Sequence, residues 1–445
     1  MKILFISLGC DKNLADSEEM LGLLTGSGHE IVDSEEEAEA IVVNTCCFIH
    51  DAKEESINTI LEMAEYKKSG ICQVLIVTGC MAQRYKEEIV QEIPEVDAVL
   101  GTTSYDDIVQ ALNEASAGKH FEEFKDINSL PEDSGRRVIT TGGHFGYLKI
   151  AEGCDKHCTY CIIPSLRGNF RSVPEERLLA QAEYMASQGV KELILVAQET
   201  TVYGTDLYGK KTLHLLLKKL CQIKGIRWIR ILYCYPEEIY DELIQVMKEE
   251  KKICHYLDLP IQHCSDRILK RMGRRTSKAQ LVEIITKLRK EIPDIVLRTS
   301  LITGFPGETE EDHQELMEFV DEMEFDRLGV FTYSPEEDTP AATMKDQVPE
   351  ELKEERRDEI MELQQEISLD KGNQRIGQEM LVMIEGKVSG ESAYIGRTYM
   401  DAPKVDGYMF VQTGELMVTG DFAKVRVTGA LEYDLIGELT DEYTE

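Results

Sequence analysis

Short apolar runs alternate with amphipathic segments along the first part of the chain. The runs predict buried strands at residues 3–8, 40–43, 74–77 and 98–100. The segments between them carry apolar residues at helical spacing and predict helices at residues 13–24, 52–67, from about 83 onward, and 105–115. Because this alternation is typical of α/β folds with a doubly wound parallel sheet, we expect such a domain over residues 1–116.

A polar stretch interrupts this alternation over residues 117–143. It contains charged residues, Pro and Gly with little apolar periodicity, which predicts a linker or a long irregular connection. Beyond it, strands are predicted at residues 147–151, 192–196, 228–232, 256–260, 296–301 and 327–332, each followed by a plausible helix. Six such units favour a partial (βα) barrel over residues 144–370, which includes a helix predicted at residues 349–369.

The last segment changes character. Its runs MLVMIEG, MFVQTG and LMVTGDFAKVRVTGA are rich in β-branched and large apolar residues and are separated by Gly turns. This pattern predicts a small all-β barrel over residues 371–440.

Composition narrows the class of protein. With 445 residues the chain is long enough for two or three domains, and no apolar run reaches the roughly 18 residues of a membrane span. The opening MKILFISLGC has the pattern of a buried strand rather than a signal peptide, so we expect a cytoplasmic protein. The net charge of −34 repels nucleic acid unless basic residues are gathered in one place. Such a negative charge either keeps the protein soluble or attracts a basic partner.

One closely spaced set of cysteines follows the first strand of the second α/β segment. Cys154, Cys158 and Cys161 form a CxxxCxxC motif, and three thiolates on one loop can hold three irons of a 4Fe-4S cluster. The fourth iron then remains open to a small molecule. A structural zinc site is the alternative, but it requires four protein ligands, and no CxxC or CxxH pair follows nearby.

A second set of cysteines is dispersed along the first domain. Cys10, Cys46 and Cys80 each follow a predicted parallel strand, and ligands of such sheets gather at the carboxyl ends of the strands. Helix N-termini close behind would favour thiolates there, so we predict a second cluster. The alternative is that each is a buried apolar residue. Cys47 could compete with Cys46, but position favours Cys46 and leaves Cys47 a bystander. The other cysteines are interpreted as packing residues: Cys72, Cys221, Cys234, Cys254 and Cys264.

The CxxxCxxC loop, with Tyr160 before its last cysteine, resembles the radical-SAM superfamily, and the order of segments resembles the methylthiotransferase family over the whole chain. The resemblance implies a C-terminal barrel of the TRAM type, two 4Fe-4S clusters and S-adenosyl-L-methionine. The motifs QETTVYG, LPIQH and TSLITGFPGE follow core strands, where the family lines its cofactor pocket. The implied cofactor-binding residues are Tyr160, Gln198, Gln262, Ile302 and Gly304.

The family's chemistry is implied by the same resemblance. One S-adenosylmethionine methylates a sulfur species at the N-terminal cluster, and a second is cleaved reductively to a 5′-deoxyadenosyl radical. No catalytic residue beyond the cluster ligands is implied, and electrons come from an external donor. Arg167 and Arg171 are similar to arginines that the family carries after its cluster loop, although a loop ion pair is an equal interpretation. His157 and His263 are assigned no role.

Further motifs indicate the substrate. LGCDKNLADSE, NTCCFIHDAKEES, TGCMAQRY and GRTYMDAPKVDG resemble the branch that modifies the β-carbon of an aspartate in small-subunit ribosomal protein S-twelve, except at Cys47, where that branch usually has Gly. Residues 371–445 carry seven Lys or Arg against thirteen Asp or Glu, a net charge of −6. We therefore expect a basic protein partner, no direct nucleic-acid binding and no membrane contact. No segment resembles a dimerisation helix, so we expect a monomer. A tRNA adenosine methylthiotransferase is the alternative, and a non-catalytic iron–sulfur electron carrier is a more distant one.

Overall fold

The computed structural model describes residues 1–132 and 135–443 and is built around three main β-sheets. The elements of the first sheet and its helices follow the chain from its N-terminus. They are β1 (Lys2–Ser7), α1 (Asp11–Gly26), β2 (Glu30–Val32), β3 (Ala40–Thr45), α2 (His50–Ser69), β4 (Val74–Gly79), α3 (Cys80–Arg84), α4 (Lys86–Glu92), β5 (Ala98–Leu100), α5 (Ile108–Ser116) and β6 (Phe121–Glu123).

The first sheet is parallel throughout, with the strand order β2-β1-β3-β4-β5-β6. Its central strands β3 and β4 are buried along their whole length, which explains their continuous apolar sequence. The expected doubly wound sheet is confirmed. Two edge strands were not predicted. One of them, β6, lies inside the segment 117–143 that was interpreted as a linker, and it pairs with β5.

The second α/β unit begins beyond that segment. Its elements are β7 (Phe145–Lys149), β8 (Ala151–Glu152), α6 (Ile163–Arg167), β9 (Arg171–Ser172), α7 (Glu175–Ser187), β10 (Glu192–Val196), α8 (Thr205–Tyr208), α9 (Leu213–Leu220), β11 (Trp228–Ile231), α10 (Asp241–Glu249), β12 (Ile253–Asp258), α11 (Asp266–Arg271), α12 (Lys278–Glu291), β13 (Val296–Thr303), α13 (Glu310–Met323), β14 (Arg327–Thr332) and α14 (Glu350–Asn373).

Six of these strands form an open parallel sheet in the order β14-β13-β12-β11-β10-β7. The expected partial (βα) barrel is therefore confirmed, because β7 and β14 stand at opposite edges. Local signals set the helix starts. Helix α13, for example, begins with a capping box in which Thr309 accepts from the backbone of Asp312 and the Asp312 side chain accepts from the backbone of Thr309.

The C-terminal unit is a closed five-stranded barrel, as expected. Its strands are β15 (Glu379–Lys387), β16 (Ala393–Arg397), β17 (Met409–Gln412), β18 (Phe422–Ala430) and β19 (Leu435–Tyr443). Across residues 1–132 and 135–443, no helix is long and apolar enough to cross a membrane.

The barrel packs against the inner face of the open sheet. Apolar residues of both form one buried cluster, in which Trp228 meets Phe422 edge to face with ring centroids 4.9 Å apart. A buried ion triad lies beside it: Glu192 Oε1 accepts from Arg230 Nε at 2.8 Å, and Glu192 Oε2 accepts from Arg397 Nη2 at 2.8 Å. All three side chains are fully buried. Arg397 belongs to the barrel, so the triad fastens it to the core.

Replacing Glu192 should weaken this junction. In Glu192→Gln the buried guanidinium of Arg230 loses its carboxylate partner and that of Arg397 keeps Glu385 alone, and we expect a loss of about 3–5 kcal/mol in unfolding free energy. Urea denaturation followed by tryptophan fluorescence measures it directly, because Trp228 is the only tryptophan and lies at the junction. The control is Glu379→Gln, which removes a surface partner of Arg426 and Lys424 and should barely move the midpoint. Equal shifts in both variants would contradict the prediction.

Candidate functional site

The first three predicted cysteines meet at the carboxyl edge of the N-terminal sheet. Cys10 follows β1 and is the N-cap of α1, Cys46 follows β3, and Cys80 follows β4 as the first residue of α3. Since β1, β3 and β4 are adjacent, their three turns lie side by side. Cys46 and Cys80 are buried, and Cys10 is exposed. The turns are in close contact, because a Cβ placed on Gly9 would lie 2.9 Å from Cys46 Sγ.

Asn13 holds two of these turns together. Its side-chain Nδ2 donates to the carbonyl oxygens of Leu8 and Thr45, each at 2.9 Å, so one amide bridges the turns that carry Cys10 and Cys46. The Thr45 hydroxyl in turn donates to the Thr78 carbonyl at 2.6 Å, which links the second turn to the third. The three cysteine turns are therefore one hydrogen-bonded unit.

Gly79 is required where the third turn begins. Its φ of +93° lies in the region that favours glycine. A Cβ at this position would overlap Asn44 Oδ1 and lie 2.5 Å from the Thr45 carbonyl oxygen. The absence of a side chain therefore allows Cys80 to approach the neighbouring turn.

Cys47 was expected to take no part in cluster binding, yet it lies near the thiols of Cys46 and Cys80. Its thiol is fully buried. Burial and the nearby thiols of Cys80 and Cys46 raise its pKa, while the Arg84 guanidinium beside it opposes that rise. Position after the strand still favours Cys46 as the ligand, and the assignment of Cys47 remains a prediction.

The second set of cysteines occupies the loop between β8 and α6. Cys154 and Cys158 are buried and Cys161 is partly buried. Backbone bonds hold the loop, since Cys154 N donates to the Gly168 carbonyl at 3.1 Å and Cys161 N donates to the Cys158 carbonyl at 3.0 Å. Burial raises the pKa of Cys154 to about 11 and that of Cys161 to about 12, so thiolates here need a compensating cation or metal.

Arg274 provides such a cation. Its Nη2 donates to the Pro260 carbonyl at 2.9 Å, and its guanidinium carbon lies 4.2 Å from the centroid of the Tyr235 ring. Nε and Nη1 are buried and have no hydrogen-bond partner among the described residues. The guanidinium lies near Cys158 and Cys161, whose thiolates it would stabilise. Buried donors without an acceptor beside three thiols fit an anionic iron–sulfur group at this loop.

The predicted cofactor-binding residues lie around the ends of the core strands. Tyr160 and Ile302 pack in one small apolar cluster with Phe305, and the rings of Tyr160 and Phe305 are 6.4 Å apart. Gln262 has a positive φ of +70°, and its carbonyl accepts from Ile302 N at 2.8 Å. The structure thus brings Tyr160, Gln262 and Ile302 together.

Gly304 and Gln198 make contacts of their own. A Cβ on Gly304 would overlap Lys353 Cγ, so this glycine makes room for helix α14, and its role in cofactor binding stays a prediction. Gln198 Nε2 donates to Glu152 Oε1 at 2.8 Å, while Gln198 Oε1 is buried and accepts from no residue within 1–132 and 135–443. That free acceptor is available to the ammonium group of a bound molecule.

Glu199, next to Gln198, is a residue that the sequence interpretation missed. Its side chain is buried, and Oε1 accepts from the Thr201 backbone and hydroxyl, whereas Oε2 has no partner in the part of the chain that the structure describes. Burial raises its pKa to about 7. The sequence signal that could have indicated Glu199 is a charged residue directly after a buried strand, in the motif QET. His263 is not a base, because burial lowers its pKa to about 3 and its Nδ1 accepts from two backbone amides.

A buried ion network links the N-terminal cysteine turns to the segments that flank the CxxxCxxC loop. Arg167 Nη1 lies 2.8 Å from Asp16 Oδ2 and 3.0 Å from Glu152 Oε2, and Arg167 Nη2 donates to Asn13 Oδ1 at 2.6 Å. Lys149 pairs with the same two carboxylates. Although burial acts in the opposite direction, Arg167 and Lys149 hold the pKa of Glu152 well below its usual range. Arg167 is therefore both an ion-pair residue and a neighbour of the N-terminal cysteines. Arg171 instead donates to the carbonyls of Arg167 and Asn169.

Within the described ranges, no three His, Cys, Asp or Glu side chains converge closely enough to hold a single metal ion. A 4Fe-4S cluster binds each thiolate at a separate iron and needs wider spacing.

Three family descriptions match successive parts of the chain. "Uncharacterized protein family UPF0004" matches residues 2–101, "Radical SAM superfamily" matches residues 148–320, and "TRAM domain" matches residues 376–440. These matches follow the three main sheets in order.

Full-length relatives share half or more of their residues with the chain. It is 66% identical over 437 residues to the ribosomal protein uS12 methylthiotransferase RimO of Lachnoclostridium phytofermentans, covering 98% of this chain and 99% of that protein. Proteins of the same name are 50% identical in Clostridium botulinum strain Langeland, over 100% and 99% of the two chains, and 51% identical in Acetivibrio thermocellus, over 99% of each.

Solved structures with low sequence identity share the fold. The radical S-adenosylmethionine methyltransferase TsrM from Kitasatospora setae, with cobalamin and a [4Fe-4S] cluster bound, has a TM-score of 0.56 at 13% identity, over 88% of this chain and 80% of that one. The cobalamin-dependent S-adenosylmethionine radical enzyme OxsB has a TM-score of 0.52 at 14% identity, over 81% and 56%. The expected radical-SAM fold is confirmed.

Replacing Gly79 tests the hydrogen-bonded turns. In Gly79→Ala the new Cβ meets the Thr45 carbonyl in a conformation that L-residues rarely adopt, and we expect destabilisation by roughly 2 kcal/mol or more beyond the control. The control is Gly118→Ala, which has a similar φ of +74° but nothing within 4 Å of the new Cβ. Urea denaturation followed by circular dichroism compares them. Equal losses would show that the close approach of the turns has no energetic weight.

Proposed function

Since the chain belongs to the RimO family of ribosomal protein uS12 methylthiotransferases, we propose that it adds a methylthio group to the β-carbon of an aspartate in ribosomal protein uS12. We further propose that it holds two 4Fe-4S clusters, one at Cys154, Cys158 and Cys161 and an auxiliary one at Cys10, Cys46 and Cys80. The observation that carries this proposal is that one buried ion network, built from residues on either side of the CxxxCxxC loop, reaches the Cys80 thiol of the N-terminal set.

Bound clusters and S-adenosylmethionine supply the electron transfer and radical chemistry that functionalising an unactivated C–H bond requires. The chain's own residues bind and orient. Arg274 supplies buried positive charge beside the CxxxCxxC loop, and the free Oε1 of Gln198 and Oε2 of Glu199 supply acceptors for a cationic ligand. Tyr160 and Ile302 supply an apolar wall that limits the access of water.

The net negative charge of the chain supports a protein substrate, although not all of the acidic residues of the C-terminal barrel contribute to it. Some of the barrel's acidic charge is internal, because Asp401 pairs with Arg327 and Asp406 pairs with Arg298 of the core. The chain as a whole still carries −34 charges, which disfavours a phosphate backbone and favours a basic ribosomal protein. We therefore propose that the enzyme does not bind nucleic acid directly. We also propose that it is a cytoplasmic monomer and that it takes electrons from an external donor.

The two cysteine sets should be separable. With Cys154, Cys158 and Cys161 all replaced by Ala, iron content should fall to roughly half and 5′-deoxyadenosine formation should stop, because only the auxiliary cluster remains. With Cys10, Cys46 and Cys80 replaced, iron should fall equally, but reductive cleavage should persist while methylthio transfer stops. Iron analysis and chromatography of the nucleoside product measure both.

The matched control replaces three buried cysteines that lie outside both sets, Cys72, Cys254 and Cys264, and should retain full iron content. Cys47→Ser should also change little, and a lost cluster there would move the ligand assignment from Cys46 to Cys47. Unaltered iron per chain after removal of Cys10, Cys46 and Cys80 would overturn the auxiliary cluster. Absence of 5′-deoxyadenosine from the wild-type enzyme would favour an electron carrier.

The substrate is tested by competition. The reconstituted enzyme is incubated without oxygen with reductant, S-adenosylmethionine, a peptide of the uS12 loop and bulk tRNA, and both acceptors are analysed by mass spectrometry. We expect a methylthio mass gain on the peptide aspartate alone. A peptide with Asn in place of that aspartate is the control and should gain nothing. A gain on tRNA alone would overturn the substrate and leave the enzyme class intact.

A further inference from the structure

Arg167 stands at the point where the core meets the cysteine turns of the N-terminal sheet. It is the last residue of helix α6, which begins two residues after Cys161. Its side chain is only 2% exposed. Leu166 packs in the apolar cluster that contains Cys47 and Cys80, and its carbonyl accepts from the Thr102 hydroxyl at 2.8 Å. Helix α6 is thus fixed to the N-terminal sheet, and the guanidinium has a defined position there.

One consequence of this position concerns Asn13. An amide side chain can be turned either way, and only one orientation lets Nδ2 donate to both Leu8 and Thr45. Arg167 Nη2, which can only donate, occupies Oδ1 at 2.6 Å and so selects that orientation. Through Asn13, Arg167 holds the turns of Cys10 and Cys46 at a fixed separation.

The second consequence is electrostatic. The guanidinium lies beside the Cys80 thiol and near that of Cys10. It shares two carboxylates, Asp16 and Glu152, with the ammonium of Lys149. Loss of the guanidinium charge would leave these two anions with a single cation, in a buried site beside the thiolates.

We propose that Arg167 is the positioning residue of the auxiliary cluster: through Asn13 it fixes the cysteine turns, and its charge favours the reduced, more negative form of the cluster. The proposal rests on the auxiliary cluster of the proposed function. It assigns to a residue of the core a role at the cluster of the other domain. A residue that served only to join the two domains would leave the spectrum and potential of the cluster unaltered.

The test uses the full chain with Cys154, Cys158 and Cys161 replaced by Ala, so that only the auxiliary cluster contributes. Into this parent we would introduce Arg167→Gln, which removes the charge, and Arg167→Lys, which keeps the charge but cannot hold Asn13 and both carboxylates together. The matched control is Arg137→Gln. Arg137 is equally buried against helix α1, where Nε and Nη2 bond to Glu18 at 2.8 and 2.6 Å. The readouts are iron per chain, the electron paramagnetic resonance spectrum and a redox titration of its signal.

For Arg167→Gln we expect a more negative midpoint, with the ratio of reduced to oxidised cluster falling roughly tenfold at a fixed potential, which corresponds to about 59 mV for one electron. Arg167→Lys should keep a midpoint near that of the parent with an altered spectrum or lower iron retention. Arg137→Gln should match the parent in its midpoint and in its spectrum. If Arg167→Gln does not fold, Arg167→Lys decides through its spectrum and iron retention.

The outcomes separate this inference from the proposed function. A parent with a normal cluster whose Arg167 variants share its spectrum, iron content and midpoint would overturn the role of Arg167 alone. The same would follow if Arg137→Gln shifted the midpoint as much as Arg167→Gln. A parent that binds no iron would overturn the auxiliary cluster, and the role of Arg167 with it.

Discussion

The architecture depends on the pairing of charges that are buried between helix α1 and the core. One face of α1 packs its apolar residues Met20 and Leu24 on its own sheet. Asp16, Glu18 and Glu19 of the same helix lie in the junction with the core, where they pair with Lys149, Arg167, Arg137 and Arg177. A buried charge without its partner costs several kcal/mol, so this junction tolerates few relative positions of the two units. The carboxyl edges that carry the two cysteine sets are therefore held in one arrangement.

Buried ion pairs also fix the C-terminal barrel on the inner face of the open sheet. Glu192, at the start of β10, is shared by Arg230 and by Arg397 of the barrel, and Asp406 reaches Tyr256 and Arg298. Arg397, Asp401 and Asp406 all belong to the segment GRTYMDAPKVDG, which carried part of the family resemblance. Their contacts are internal, so this motif fastens the barrel to the core.

Local pattern predicted the fold class and grouped the cysteines. Spacing in sequence grouped Cys154, Cys158 and Cys161 on one loop, and the equivalent turns after parallel strands grouped Cys10, Cys46 and Cys80 at one sheet edge, where the structure places them. Strand β6 escaped prediction because FEE is short and polar and becomes a strand only by pairing with β5. Arg167 and Asp16 are 151 residues apart, and no local pattern relates them. No local pattern relates Gly304 to Lys353 either, because Lys353 comes from a distant helix.

The polar character of the α1 junction also bears on how the chain is made. Residues of α1 leave the ribosome long before Lys149, which follows Asp16 by 133 positions. Before docking, these carboxylates are hydrated, and they interrupt the apolar surface that the junction also contains, such as Leu14 and Cys47. The N-terminal sheet can complete its own core while the rest of the chain is still being made. The charged residues of the junction thereby lower the tendency to aggregate in the interval between synthesis and docking.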